Sequence, residues 1–129
     1  MWKKAFNYYE SAAIGGDSEA LFRLGTAYMT PLLQLQKDMQ KALYYFEQAA
    51  LEEHVDAIYN LGFFYENGIG VERNASLAIN YYEHAAELED VSAIQALIRI
   101  YSEGSIVMKD EVSAQRWKRI LTAFDSCDE

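Results

Sequence analysis

One segment of this chain recurs at a fixed interval, and that recurrence limits the fold more than any other property. Ala20, Ala57 and Ala93 follow one another at steps of 37 and 36 residues, and Tyr28, Tyr65 and Tyr101 keep the same steps. The phase extends to Ala5, Ala42, Ala78 and Ala114, and to Tyr8, Tyr45, Tyr81 and Trp117; the pair Ala12-Ala13 returns as Ala49-Ala50 and Ala85-Ala86. A period of this size, made of two helix-length halves, marks an α-solenoid, in which each copy buries its apolar face against its neighbours.

The central copy shows the two halves best. Ala57, Leu61 and Tyr65, interleaved with Ile58 and Phe64, recur at three- and four-residue steps and predict a first-type helix from about Asp56 to Asn67. Gly62 leaves a spot without a side chain where a neighbouring helix can approach closely. Asn67-Gly68 stops the helix, Gly68-Ile69-Gly70-Val71 forms a tight connection, and a second-type helix follows from Asn74 or Ala75 to Leu88, burying Leu77, Ala78, Tyr81, Tyr82 and Ala85. The flanking copies predict helices at Ser18 to Met29, Asp38 to Leu51, Ser92 to Ser102 and Glu111 to Phe124, with Asp17 or Ser18 as an N-cap and Asp125 to Glu129 as a frayed acidic tail. Pro31, the single proline, cuts the first of them, and its connection TPLLQLQKD lacks the glycines. The chain opens at Trp2 to Ile14 in a second-type helix without the first-type helix that should precede it. The sum is an all-α superhelix of seven helices forming one domain, 1–129: an orphan helix at 2–16, repeats at 17–54, 55–90 and 91–124, and the tail at 125–129.

Laid out this way, the unit resembles the Sel1-like repeat family, whose pattern is close to A-x-x-x-L-G-x-x-Y-x-x-G-x-G-V followed by A-x-x-W/Y-Y-x-x-A-A. The central copy supplies Ala57, Leu61, Gly62, Tyr65, Gly68, Gly70, Val71, Ala78, Tyr81, Tyr82, Ala85 and Ala86. The period separates it from the related tetratricopeptide repeat, which runs at 34 residues. The third copy departs from the pattern at Ile98, Ile106 and Leu121-Thr122, as terminal repeats of solenoids commonly do. The orphan helix exposes an apolar flank, which implies either a segment of a longer array or a contact with a partner or with a second copy of the chain.

What the resemblance implies is a scaffold or adaptor that holds another protein or peptide on the concave face lined by the first-type helices. One turn from the packed Leu-Gly-Tyr set, that face carries Phe22, Thr26 and Met29, then Tyr59, Phe63 and Glu66, then Gln95, Arg99 and Ser102. Aromatic and methionine side chains in such a row suit an interaction hot spot, although Tyr59 and Phe63 also fit a purely packing role. An alternative of another class is an inhibitor that masks a toxin or effector enzyme, as an immunity protein does. A hydrolase of the cysteine-rich Sel1-like type is the third reading, and it lacks the paired cysteines, since Cys127 stands alone.

Charge narrows the partner. Twenty acidic residues against eleven basic ones give −9, and residues 38–103 alone hold twelve acids against Lys41, Arg73 and Arg99. That surface opposes nucleic acid and anionic membranes and favours a protein with a basic face; an ordinary solvated surface reads the same way. No apolar run reaches the ~18 residues needed to span a bilayer, and no signal sequence opens the chain, which reads as cytoplasmic. Catalytic, metal and cofactor readings find no support. His84 with Glu83 and Glu87 reads as a solvated ion pair, His54 as a polar turn residue, and Gly68-Ile69-Gly70 follows no strand and precedes no phosphate-binding lysine. Asn74-Ala75-Ser76 reads as a helix start more than as a glycosylation site.

Overall fold

The computed structural model describes residues 11–12, 15–29, 38–104 and 106–127. These hold six helices: α1 (Ser18–Met29), α2 (Met39–Leu51), α3 (Val55–Asn67), α4 (Ala75–Glu87), α5 (Val91–Glu103) and α6 (Glu111–Cys127). They pack as three successive hairpins, α1 on α2, α3 on α4 and α5 on α6, with α2 also against α3 and α4 against α5. This is an all-α solenoid. The sequence reading counts seven helices where the structure describes six; the orphan helix at 2–16 falls mostly outside the described residues.

Helix starts repeat in register with the sequence period. The side chains of Asp38, Asn74 and Asp110, spaced by 36, accept the backbone N–H of Lys41, Leu77 and Ser113 at 3.1 Å each. Asp17 takes Ala20 N–H at 3.1 Å, and His54, 37 residues on, takes Ala57 N–H through Nδ1 at 3.2 Å. Each cap satisfies a donor that the first helical turn leaves unpaired. The connections are pinned alike, Asp38, Asn74 and Asp110 N–H donating to the carbonyls of Tyr28, Tyr65 and Tyr101 at 2.8, 2.9 and 2.9 Å. Where one hairpin turns into the next, Gly16, Glu53 and Glu89 stand in register with φ of 88°, 60° and 68°.

Two cores result, and α3 feeds both. Leu61 and Phe64 join Leu21, Leu43, Phe46 and Ala49, while Ile58 joins Tyr82, Ala85, Ile94, Leu97, Ile100 and Trp117. The helix glycine is explained by a ring: a Cβ on Gly62 would lie 2.8 Å from Tyr82 Cδ1, and one on Gly25 2.9 Å from Phe46 Cε1. In the third hairpin, Ile98 replaces that glycine and Lys118 replaces that ring, so no aromatic plate needs the space.

Three expectations are corrected. Leu77 is exposed, because the buried stripe of α4 runs through Ala78, Tyr82 and Ala85 and leaves position 77 rotated off it. Of the tyrosine pair, Tyr82 is wholly buried and Tyr81 only half so. The last helix does not end at Phe124 but continues to Cys127, with Phe124 packed against the second core.

Candidate protein-binding face on the first-type helices

The nine residues expected on one face divide into three groups once their contacts are known. On α1, Phe22 stacks on the His54 ring at 4.6 Å and lies 5.6 Å from the Phe46 ring, and Thr26 Oγ1 donates to the Phe22 carbonyl at 3.0 Å. Met29 packs against the first core, so this part of the row is half consumed by packing. On α3, Tyr59 leans on the Tyr82 ring at 5.5 Å, whereas Phe63 is 42% exposed. On α5, Gln95 and Arg99 are both exposed, the Arg99 side chain to 42%.

Glu66 is not offered to the groove. It is 5% exposed, accepts the Tyr82 hydroxyl at 2.7 Å, and takes both Arg99 terminal nitrogens at 2.8 and 2.9 Å. Burial works to raise its pKa, but the hydrogen bonds from Arg99 and Tyr82 outweigh it and hold the carboxyl below its usual range. The same contact holds the Arg99 guanidinium more firmly protonated, and burial next to that carboxylate drives the Tyr82 hydroxyl well above its ordinary pKa. A forked guanidinium on a carboxylate fixes angle as well as distance. The network therefore fastens α3, α4 and α5 at one point.

Two clefts open on either side of Arg99. One, about 290 Å³, is lined by Glu66, Asn67, Arg73, Arg99 and Ile106. The other, about 440 Å³, lies between α5 and α6, with Ser102 on its wall. The Ser102 hydroxyl is buried and has no hydrogen-bond partner. Among the described residues no three His, Cys, Asp or Glu side chains gather as a metal site, and no helix is long and apolar enough to cross a membrane.

Sequence reasoning passed over three side chains here. His54 is more than a turn residue: besides capping α3 it places Nε2 2.7 Å from Glu19 Oε2, joining α1 to α3. His84 pairs with neither nearby helical acid but with Glu53, 3.2 Å away across the hairpin boundary. Tyr82 was legible only as core. The available signal was Glu66 itself, an acid one repeat after the apolar Met29, which calls for buried partners.

The family model for the Sel1 repeat matches residues 3–17, 18–54 and 55–90. The chain belongs to the Sel1 repeat family. A crystal structure of a protective antigen from uropathogenic Escherichia coli strains, displaying an SLR fold, superposes with a TM-score of 0.84 at 30% identity over 92% of this chain. The chain spans 25% of that antigen's length. A Sel1 repeat protein from Oxalobacter formigenes superposes with a TM-score of 0.79 at 30% identity, covering 93% of this chain and 90% of the other. No curated protein matches the chain. Sel1 repeat proteins are in general protein-interaction modules.

Proposed function

We propose that this Sel1 repeat chain is a scaffold or adaptor that binds another protein on the face of its first-type helices, with Phe63 as the central contact. The observation that carries the reading is a large aromatic side chain left 42% exposed beside a rigid, fully hydrogen-bonded clasp. An exposed ring on a fixed support is what a hot spot requires, since little side-chain or backbone freedom is lost when a partner closes over it. The acid excess of residues 38–103 favours a partner whose approaching surface is basic.

The test starts from a partner captured by the full chain and identified by mass spectrometry. Phe63→Ala should then weaken its binding by roughly tenfold or more while the helical circular dichroism spectrum stays unchanged. Tyr59→Ala should melt earlier as well, because that ring supports Tyr82. Binding left intact in Phe63→Ala would exclude this face.

A further inference from the structure

The repeat period lines up aromatic pairs as well as helix caps. Tyr28 and Tyr45 stack at 5.8 Å, and Tyr65 and Tyr81, in the same register, also stack at 5.8 Å. Tyr101 and Trp117 hold those two positions in the last hairpin. In the first and last copies the chain itself supplies a cation: Lys41 Nζ lies 5.2 Å from the Tyr28 ring centroid, and Arg116 Cζ lies 5.3 Å from that of Trp117. The middle pair has none among the described residues, because Leu77 stands in the register of Lys41 and Asn80 in that of Arg116.

Beside the middle pair, a cleft of about 300 Å³ opens between α2 and α4, lined by Glu47, Gln48, Ala50, Leu51, Tyr81 and His84. Leu51 is 75% exposed there. His84 is occupied by Glu53, 3.2 Å away, whereas Glu47 is half-buried and makes no hydrogen bond or ion pair among the described residues. Burial first, then Tyr65 and the Glu47 carboxylate, push the Tyr81 hydroxyl above its ordinary pKa. Tyr101 is pushed up by burial and by Glu83, which stands in the register of Glu47, but there Arg116 works in the opposite direction. The central copy therefore keeps the acid and the aromatic ring and lacks the cation. A solenoid unit contacts only the units next to it, so a further repeat stacked on either end of the array leaves this cleft between the first two hairpins open.

We propose that the cleft between α2 and α4 is a docking site for an arginine on a segment of another protein, with its guanidinium against the Tyr81 ring and the Glu47 carboxylate and an adjoining aliphatic side chain against Leu51. The cation follows from charge: a half-buried carboxylate has given up part of its water and has no positive group in exchange. Arginine suits the cleft better than lysine, because its planar guanidinium stacks on a ring and forks onto a carboxylate at once and sheds water more readily. Every lining residue lies on a second-type helix, so the site shares no residue with the Phe63 face and does not rest on the reading of that face.

The probe is a short fluorescent peptide with one central arginine between two leucines, beside a twin carrying neutral citrulline in its place. By fluorescence anisotropy, the full chain should bind the arginine peptide about fivefold more tightly than its twin. Glu47→Gln should remove most of that preference. Asn80→Arg should remove it too, by setting an arginine beside Tyr81 as Arg116 stands beside Trp117. Glu72→Gln, an equal change of charge at an exposed residue before α4, and Phe63→Ala should both leave it in place. No binding of the arginine peptide up to about 1 mM, a preference that survives Glu47→Gln or Asn80→Arg, or one that Glu72→Gln or Phe63→Ala reduces equally, overturns the proposal. A dimer in sedimentation velocity that Leu51→Asp abolishes would make a second copy the occupant and would overturn it as well.

Discussion

Replacing Arg99 by methionine isolates the clasp that joins α3, α4 and α5. Methionine keeps the aliphatic reach and removes two of the three hydrogen bonds that Glu66 accepts, leaving a carboxylate 5% exposed against the Tyr82 hydroxyl alone. Stripping one partner from a fully buried ion pair costs ~3–5 kcal/mol. Here the Arg99 side chain is 42% exposed, so water screens the pair and the expected loss is about 1–2 kcal/mol. For a chain of 129 residues that lowers the melting temperature by about 4–8 °C, read by calorimetry or circular dichroism at pH 7. Glu66→Gln in the Arg99→Met background should recover at least half of the loss, since a neutral amide still accepts from Tyr82. The pH dependence fixes the sign. In the native chain Glu66 is held below its ordinary pKa, so its stabilisation is present above the unfolded carboxylate pKa and lost as pH falls through the folded value. In Arg99→Met burial prevails, the carboxyl is raised, and protonation relieves it, so the gap between the two proteins narrows as pH drops toward about 4. Equal melting temperatures at pH 7, or a gap independent of pH, would refute the clasp.

Two other substitutions test the repeat geometry. Gly62→Ala places a Cβ 2.8 Å from the buried, tethered Tyr82 ring, and the forced shift should cost ~1–3 kcal/mol, more than the ~1 kcal/mol that alanine contributes to a helix; urea denaturation should therefore show net loss. Glu89→Gly should do the opposite, raising stability by about 0.5–1 kcal/mol, because the residue sits at φ 68° on the exposed turn before α5. A destabilised Glu89→Gly would show that its side chain does more than occupy the turn.

The sequence made the helices legible because their caps and stops are local. Asp38, Asn74 and Asp110 act on residues three positions away, and Ser18–Met29 emerges with both ends as read. The candidate face could be read as a row of positions but not as a set of roles, since roles depend on what the neighbouring hairpin supplies. Arg99 and Glu66 lie 33 residues apart, as do the ends of no local motif, and nothing in either helix alone says that they bond to each other. The tyrosine pair, both expected in the core, parted for a smaller reason: one step along a helix turns a side chain by about 100°, enough to bury Tyr82 wholly and leave Tyr81 half-buried.

The departures of the last hairpin are coupled, and the coupling says what kind of change they are. Gly62 goes with the Tyr82 ring and Ile98 with Lys118; Gly70, whose Cβ would lie 2.8 Å from Met39 Cβ, gives way in register to Ile106 where Met39 gives way to Ala75. In each pair a side chain gained on one element faces bulk or a ring lost on the other. Ile98 and Ile106 both pack against the second core. The hairpin has therefore been refitted with its packing intact. Packing thus constrains the inward positions of α5 and α6 in pairs and leaves outward ones such as Lys118 free to vary.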